Sequence, residues 1–284
     1  MSYNYRQINY EVMVDTSNRC KTMQELKEAI EHSIANQFMI AEEENIDQPL
    51  PDKVTTKYIV SGKRSFEAAK GYAGKKIAVL NYANNLSIGG APYSAGAQEE
   101  SLCRCSTLLP CLWAMKEPFY DRHHNMYVAH QMGFMGNDDL IYTPDVVVFK
   151  TDLRTDPVFP QLMPHDGWYK VNVITCAAPN LRQRPGNYHN PDASKAASIT
   201  RQQLFDLHVK RAKHILHVAA ANGVDCLVLG AFGCGAFSND PNVVAKAYAV
   251  AMEEYRRSFD VIEFAIYCRE WEAENYNAFK AWCK

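Results

Sequence analysis

The sequence predicts an α/β protein, a three-layer α/β/α sandwich in which helices cover both faces of a mixed central sheet. Two observations support this fold class. Short, almost continuous apolar runs alternate along the chain with longer segments whose apolar residues recur at helical spacing. Strands without polar alternation are typical of sheets that are covered on both faces. Because hydrophobic residues make up 47% of the 284 residues, the chain can also bury a sizeable core.

The first 53 residues predict a helical N-terminal extension. Between Thr22 and about Asn45, apolar residues recur at helical spacing: Met23, Leu26, Ile30, Ile34, Phe38 and Met39. A polar, proline-containing stretch follows at 47–52 and predicts a loop. We therefore expect a helical extension over 1–53 and a larger domain over 54–284.

The larger domain alternates between strands and helices. Strands are predicted at 54–60, 76–82, 146–150, 171–177, 224–230 and 261–267. Helices are predicted at 65–70, 98–109, 191–222 and 241–257. The last of these helices has a clear start, because Asp240 suits the N-cap and Pro241 the first helical position. The stretch 115–143 has no clear period and is expected to be irregular.

Charge and hydropathy exclude two classes of partner. Thirty basic and thirty-two acidic residues give a formal net charge of −2, and no basic run stands out. Direct nucleic-acid binding is not expected, because it needs a concentrated positive face. A membrane partner is not expected either, since no apolar run is long enough to span a bilayer and the N-terminus lacks the pattern of a signal peptide.

The nine cysteines favour reduced thiols and a cytoplasmic location. No pair forms Cys-x-x-Cys, and several cysteines lie within apolar runs, where the thiol behaves as a small hydrophobic group. The alternative is a zinc site with ligands from Cys103, Cys105, Cys111, His123, His124 and His130. Since Cys103 and Cys105 would point to different sides of a helix, this is the weaker interpretation, and no metal is expected.

Two glycine-rich loops each follow a predicted strand and precede a predicted helix. The first covers 88–97, and the second covers 230–237 with the sequence GAFGCGAF. Because ligands of open α/β sheets bind beyond the carboxyl ends of the strands, we expect the two loops to face each other across one cleft. Neither loop has the dinucleotide fingerprint or the Gly-Lys-Ser/Thr ending of a phosphate-binding loop, which disfavours hydride transfer and nucleotide hydrolysis.

Two consecutive carboxylates, Glu99 and Glu100, stand where the first loop enters its helix. They would repel phosphate, so they are unusual in a loop that only binds anions. They fit a site in which a neutral sugar carbon lies beside the carboxylates and phosphates lie further along the glycines. This arrangement favours an enzyme that cleaves a glycosidic bond of a nucleotide sugar. The alternative is that both glutamates only complement the helix dipole.

Together these segments resemble the bacterial-type poly(ADP-ribose) glycohydrolases, which are built on the macrodomain fold. The signature of that family is three glycines followed, after six to eight residues, by Gln-Glu-Glu, and this chain has IGG-APYSAGA-QEE at 88–100. Further similarity lies at 80–85, 145–150, 173–180 and 229–241, so the resemblance covers about residues 54–270. It implies an enzyme that hydrolyses ribose–ribose bonds of poly(ADP-ribose) and releases ADP-ribose without a metal or an organic cofactor. ADP-ribosylated proteins are further expected partners.

The resemblance also implies roles for single residues. Glu100 corresponds to the catalytic acid, and Glu99 to the glutamate that positions hydroxyls of the distal ribose; the Glu99 charge would also help to keep Glu100 protonated. Asn84 corresponds to an asparagine that binds the same ribose. The remaining substrate-binding residues are expected in the two loops and at the helix start: Gly89, Gly90, Gln98, Gly233, Cys234, Gly235, Ala236 and Phe237. The alternatives are a turn-forming role for Asn84 and a core position for Phe237.

Ile88 departs from the family signature, because it replaces the first glycine. If Ile88 packs against the sheet, the replacement is harmless; if its φ is positive, the β-branched residue is strained and activity is reduced. Two alternative functions therefore stay open. One is a hydrolase that removes a single ADP-ribose from an acceptor, and the other is a macrodomain that binds ADP-ribose without turnover.

Overall fold

The computed structural model describes residues 4–42, 44, 49–152, 160–183 and 197–283. The helices are α1 (Tyr5–Thr22), α2 (Gln24–Asn36), α3 (Ser65–Lys70), α4 (Gln98–Cys105), α5 (Leu108–Ala114), α6 (Arg122–Val128), α7 (Arg201–Ala221), α8 (Pro241–Met252) and α9 (Glu274–Trp282). The strands are β1 (Phe38–Ile40), β2 (Lys57–Ser61), β3 (Ile77–Ala83), β4 (Leu140–Val148), β5 (Tyr169–Ala177), β6 (Cys226–Leu229) and β7 (Val261–Ala265). Within these described ranges, no helix has the length and apolar character needed to cross a membrane.

The strands form one mixed sheet in the order β1-β4-β5-β3-β6-β7-β2. The five strands from β5 to β2 in this order are parallel, whereas β4 is antiparallel to β5 and β1 is antiparallel to β4. The mixed sheet is therefore confirmed. Its five parallel strands end at the same edge, and both glycine-rich loops begin at that edge, after β3 and β6.

Two apolar layers cover the sheet. On β3, Ala78 and Leu80 face the layer that includes buried residues of α7, α8 and α9, and Ile77 and Val79 face the layer that includes buried residues of α3, α4 and α5. This alternation places consecutive side chains on opposite faces, as expected for a strand buried on both sides. The three-layer arrangement predicted from the apolar runs is confirmed.

In the N-terminal segment, the helical structure expected from Thr22 to about Asn45 does not continue to the end of that range. The backbone is extended at Met23, which separates α1 from α2, and α2 ends at Asn36. Phe38 and Met39 lie in β1, which pairs with β4, and the Phe38 ring stacks on Tyr142 with 5.5 Å between centroids. The prediction of a helix there was wrong, because these apolar side chains complete the edge of the sheet instead of a helical stripe. The division at 53/54 stays a prediction.

Several other boundaries differ from the predicted ones. The helix predicted over 98–109 is split into α4 and α5, because Ser106 is extended and bridges Val148. The stretch expected to be irregular contains a π-helical turn at Lys116–Asp121, then α6 and the start of β4. Helix α8 ends at Met252 and is shorter than predicted. Its start is as predicted, because the Asp240 side chain accepts hydrogen bonds from the Asn242 and Val243 amides.

The long helix α7 begins later than the predicted position 191. Thr200 caps it, because its side chain accepts from the Gln203 amide while the Gln203 side chain accepts from the Thr200 amide. Residues 197–200 precede the helix, and 191–196 lie outside the described residues. A reciprocal cap of this kind fixes a helix start more firmly than the apolar stripe that predicted it.

Candidate active site

Gln98, the first residue of α4, joins that helix to the end of β3. Its side-chain nitrogen donates to the Leu80 carbonyl at 2.8 Å and to Ser65 Oγ at 3.1 Å, and its oxygen accepts from the Tyr82 amide at 3.0 Å. These bonds fix the direction in which the first turn of α4 presents the two glutamates. The structure therefore gives Gln98 a positioning contact, and its expected contact with substrate stays a prediction.

Glu99 points into the protein and is only 4% exposed. Its Oε2 accepts from the Asn84 amide at 2.8 Å, and its Oε1 accepts from Asn81 Nδ2 at 3.3 Å. Burial, with a smaller contribution from the Glu100 charge, raises the pKa of Glu99 well above its ordinary value. Sequence analysis expected the charge of Glu99 to keep Glu100 protonated. The structure instead raises the pKa of Glu99, so Glu99, the glutamate expected to position the ribose, itself favours the protonated form.

Glu100 is 8% exposed, and its two oxygens have different surroundings. Oε1 accepts from the Ala91 amide at 3.1 Å. Oε2 is buried and has no hydrogen-bond partner among the described residues. A buried carboxyl oxygen without a partner is costly for folding, so it is a candidate for contact with a ligand.

Gly90 closes over the two carboxyl groups, and Gly89 packs beside the side chains of Leu109 and Cys103. Both glycines have positive φ, +67° at Gly89 and +66° at Gly90, a conformation that favours glycine. A Cβ on Gly90 would lie 3.0 Å from the Glu100 carboxyl carbon and 3.1 Å from Glu99 Oε2, and would overlap Glu100 Oε1. A Cβ on Gly89 would lie 2.7 Å from the Leu109 side chain. Gly90 is thus needed for close packing on the carboxyl groups and Gly89 for close packing on Leu109, and their predicted contact with a diphosphate stays a prediction.

The structure confirms the alternative in which the replacement of glycine by Ile88 is harmless. Its side chain packs against the apolar layer that contains Leu102 and Leu109. Among the described residues other than glycine, positive φ occurs at His130, Asp145 and Ser238. Ile88 is therefore free of the strain that would have favoured a binding module without turnover.

Asn84 combines a turn with a contact to the carboxyl pair. Its side-chain oxygen accepts from the Leu86 amide at 2.9 Å and the Ser87 amide at 3.0 Å, so the turn-forming alternative is confirmed for this oxygen. Its own amide donates to Glu99. The expected contact of Asn84 with a ribose stays a prediction, and the side-chain nitrogen is the group that would make it.

The buried side-chain amide of Asn239 supports the second loop. Gly233 has φ +77°, and a Cβ there would lie 2.7 Å from Asn239 Nδ2. That nitrogen donates to the carbonyls of Pro179 at 2.7 Å and Gly233 at 3.0 Å, while Asn239 Oδ1 accepts from His208 Nε2 at 2.9 Å. Burial lowers the pKa of His208 to about 4, which keeps the ring neutral near pH 7. Sequence analysis missed Asn239, and its position between a glycine loop and a capped helix was the available signal.

A cleft of about 300 Å³ lies between the second loop and the start of α4. From the two loops and the start of α4 it is lined by Gly96, Ala97, Gln98, Ala231, Gly233, Gly235, Ala236 and Phe237. The prediction that both loops face one cleft is thus confirmed for these residues. Cys234, by contrast, packs against the core, with its thiol 3.7 Å from the Phe232 carbonyl. Phe237 packs partly against the core as well, in line with the alternative considered for it.

An ion pair that sequence analysis missed lines another wall of the cleft. Arg64 Nε donates to Asp152 Oδ1 at 2.8 Å, and Arg64 Nη2 donates to Ser101 Oγ at 2.6 Å. Burial opposes the charge on Arg64, but Asp152 raises the pKa of the guanidinium above its ordinary value. Since Ser101 follows Glu100 directly, this network ties α4 to the start of α3. Two single polar residues far apart in the sequence gave no pattern that could have predicted it.

Seven of the nine cysteines are buried, and Cys234 and Cys268 are half-buried. All nine are free thiols, and burial raises the pKa of Cys111 to about 12 and that of Cys103 well above its ordinary value. In the part of the chain that the structure describes, no group of three or more His, Cys, Asp or Glu side chains is arranged to hold a metal ion. His123, one of the zinc ligands considered, contacts the Asn85 carbonyl and Asp139.

Comparison with known proteins gives consistent matches. Residues 9–151, half of the chain, match the family model described as microbial-type PARG, catalytic domain. The structure is similar to poly(ADP-ribose) glycohydrolase (PARG) from Thermomonospora curvata, with a TM-score of 0.78 and 26% identity, covering 96% of this chain and 98% of that one. The same protein bound to the inhibitor ADP-HPD matches with a TM-score of 0.75, 26% identity and the same coverage. PARG from Deinococcus radiodurans in complex with ADP-ribose matches with a TM-score of 0.71 and 29% identity, covering 89% of this chain and 96% of that one. No curated protein matches the chain in sequence.

Proposed function

The chain belongs to the family of microbial-type PARG catalytic domains and is thus a glycohydrolase, and from this premise we propose that it hydrolyses the ribose–ribose bonds of poly(ADP-ribose) and releases ADP-ribose. The proposal is supported by the likeness, over about nine tenths of the chain, to a PARG in complex with ADP-ribose. Proteins that carry the polymer are accordingly its partners.

The observation that carries the proposal is the unequal environment of the two Glu100 oxygens. Oε1 is held by the Ala91 amide, while Oε2 is buried without a partner in the described structure. A carboxyl group held by one oxygen can deliver a proton from the other to the leaving ribose oxygen as the anomeric C–O bond breaks. The same carboxylate then takes a proton from the water whose oxygen bonds to the anomeric carbon, which restores the acid.

Glu99 completes the carboxyl pair. Because both carboxyl groups border Gly90 and both are buried, ionisation of one disfavours ionisation of the other. Burial and the Glu100 charge raise the pKa of Glu99 well above its ordinary value, so a proton is retained beside Glu100 in a pH range where isolated glutamates have lost theirs. Through its bond to the Asn84 amide, Glu99 also stands where it can accept hydrogen bonds from ribose hydroxyls beside Asn84.

The ADP portion lies in the cleft. The second loop supplies backbone amides for the diphosphate at Gly235 and Ala236, both of which are exposed. Phe237 supplies an apolar surface at the same wall. Arg64 also lines the cleft, and its guanidinium group is positively charged. The ion pair with Asp152 offsets much of that charge.

The test is release of ADP-ribose from purified polymer by the wild-type chain and by Glu100→Gln. Because Gln keeps the size but cannot deliver a proton, we expect turnover to fall by about a hundred- to ten-thousand-fold. Binding of ADP-ribose, measured by calorimetry, should change far less. Equal turnover by a folded Glu100→Gln protein would contradict the assigned acid. Cleavage of a protein-linked single ADP-ribose without cleavage of polymer would replace the proposed substrate.

We also place the protein in the cytoplasm, because all nine cysteines are free thiols and such a set persists in a reducing compartment. Cell fractionation followed by immunoblotting tests this location. Recovery of the protein mainly from an oxidising compartment would overturn it.

A further inference from the structure

Two side chains from different helices hold the backbone of the first loop. Asn9 of α1 donates through Nδ2 to the Ser94 carbonyl and to the Ala95 carbonyl, both at 3.2 Å. Arg104 of α4 donates through Nη1 to the Ala95 carbonyl at 2.7 Å and to the Pro92 carbonyl at 2.8 Å. The Ala95 carbonyl thus receives hydrogen bonds from both helices.

A chain of hydrogen bonds connects this carbonyl to the proposed acid. The Ala95 amide donates to the Ala91 carbonyl at 2.9 Å, and the Ala91 amide donates to Glu100 Oε1 at 3.1 Å. The peptide groups between Ala91 and Ala95 form one turn, so a shift at Ala95 is passed to the amide that holds Glu100. Three hydrogen bonds therefore separate Asn9 from the Glu100 carboxyl group.

Helix α1 packs closely against the rest of the protein, so it can support the first loop. Met13 is 1% exposed in the apolar layer beside α4, and Thr16 Oγ1 donates to the Arg104 carbonyl at 2.6 Å. Ser17 Oγ hydrogen-bonds the Tyr93 hydroxyl at 3.2 Å. Tyr10 packs against the same Tyr93 ring with 6.0 Å between centroids. The exposed tyrosine of the loop thus packs on α1.

We infer that α1 is a positioning element of the active site and that Asn9 is a positioning residue, which holds the first loop so that the Ala91 amide fixes the Glu100 carboxyl group. The inference rests on the proposed function of Glu100. It gives the N-terminal segment a part in catalysis, although no side chain of α1 lies among the residues that line the cleft.

Asn9 is a better test position than Arg104. Arg104 is buried and cationic, so its removal would leave a cavity and disturb α4 itself. Asn9 is partly exposed, and its substitution removes the two donated bonds with little loss of buried volume. Asn18 provides a matched control, because it is the same residue type in the same helix and is exposed.

The experiment compares polymer hydrolysis by the wild type, Asn9→Ala, Asn9→Asp, Asn9→Gln and Asn18→Ala, with thermal melts of each variant. We expect Asn9→Ala to lower kcat about tenfold with KM within about threefold, since a misplacement of about 1 Å can cost a hundredfold. Asn9→Asp should lower kcat at least as much, because it keeps the size but turns an acceptor toward two carbonyls. Asn9→Gln retains the donor and should recover part of the rate, and Asn18→Ala should match the wild type.

The outcomes separate the two ideas. A folded Asn9→Ala protein with the kcat of Asn18→Ala would overturn the positioning role, as would a change in KM alone. If Asn9→Ala does not fold, the isosteric Asn9→Asp gives the same comparison. An inactive wild type, or an unimpaired Glu100→Gln, would instead overturn the proposed function.

Discussion

The two glycine-rich loops have similar composition and similar places in the fold, but they are held in different ways. The first loop is supported by side chains from α1 and α4 and lies directly on the carboxyl pair. The second is supported by the side chain of Asn239 and lines an open cleft. Gly90 is closely packed, whereas a Cβ on Gly235 would meet nothing within 4 Å. A glycine in a loop motif therefore indicates ligand contact only after its own packing has been accounted for.

Alanine substitution at these two glycines should give the largest difference between the loops. In Gly90→Ala, positive φ adds strain and the new Cβ displaces the Glu100 carboxyl group. We expect turnover of polymer to fall about a thousandfold, within the range lost when a general acid is misplaced or removed. Gly235→Ala leaves the carboxyl pair untouched, so its kcat at saturating polymer should stay within about threefold of the wild type, whereas any effect of its Cβ on the proposed diphosphate site should fall on KM.

Circular dichroism and ADP-ribose binding would show that both variants are folded. Turnover of Gly90→Ala within tenfold of Gly235→Ala would mean that the close packing at the first loop is not needed for catalysis, and the contrast between the loops would fail.

The support of the second loop should depend on pH through His208. Burial lowers the pKa of His208 in the folded protein to about 4, from an ordinary 6.5, so the unfolded state binds the proton more readily. The stability contributed by the neutral ring is present above pH 6.5 and is lost as pH falls from 6.5 toward 4. The loss from this residue amounts to about 3 kcal/mol in the free energy of unfolding.

Urea unfolding of the wild type and His208→Gln at pH 7, 6, 5 and 4.5 measures this dependence. Gln keeps a donor toward Asn239 but does not titrate, so its stability should fall less steeply in the same interval. Carboxylates and His123 are common to both proteins and cancel in the difference. Parallel curves would show that His208 is already charged or that its proton is not linked to folding.

Removal of the Asn239 side-chain amide should weaken the binding of ADP-ribose more than it slows turnover. Asn239→Ala leaves the Pro179 carbonyl without its donor and removes one of two donors from the Gly233 and Phe237 carbonyls, which costs about 1–3 kcal/mol of stability. We expect the Kd for ADP-ribose to rise about tenfold, equivalent to about 1.4 kcal/mol, with a smaller change in kcat. Calorimetry checks this, with the exposed Asn242→Ala as control. A fall in kcat alone would assign the second loop to chemistry and not to binding.

Local sequence was informative wherever one segment decides its own structure. The apolar runs predicted the central strands, and the predicted helix at 65–70 has the bounds of α3. The Asp240–Pro241 start is likewise set by groups within one turn. The edge strand β1 could not be predicted in this way. Phe38 and Met39 fit either a helical stripe or a strand, and the choice depends on pairing with Tyr142 and Ile141, about a hundred residues away.

The same reason explains which parts of the site were missed. The Gln-Glu-Glu triplet and the glycines are consecutive and form a motif. Arg64 with Asp152, and Asn239 with His208, are single polar residues that meet only in the folded chain. Burial also decides the ionisation of Glu99, because it raises the pKa of that carboxyl group. No spacing in the sequence reports how deeply a carboxyl group is buried.

The smallest effect on activity is expected at Ile88, where this chain departs from the family signature. Ile88→Gly restores the missing glycine, but Ile88 is not strained and packs on the apolar layer, so there is no strain to relieve. We expect kcat to stay within about twofold of the wild type and the melting temperature to fall by a few degrees, because apolar contacts are lost and the unfolded chain gains freedom. Polymer hydrolysis and a thermal melt on the same preparation check both. A rise in kcat of tenfold or more would show that Ile88 restrains the first loop after all, and the rigid support of that loop would then limit turnover.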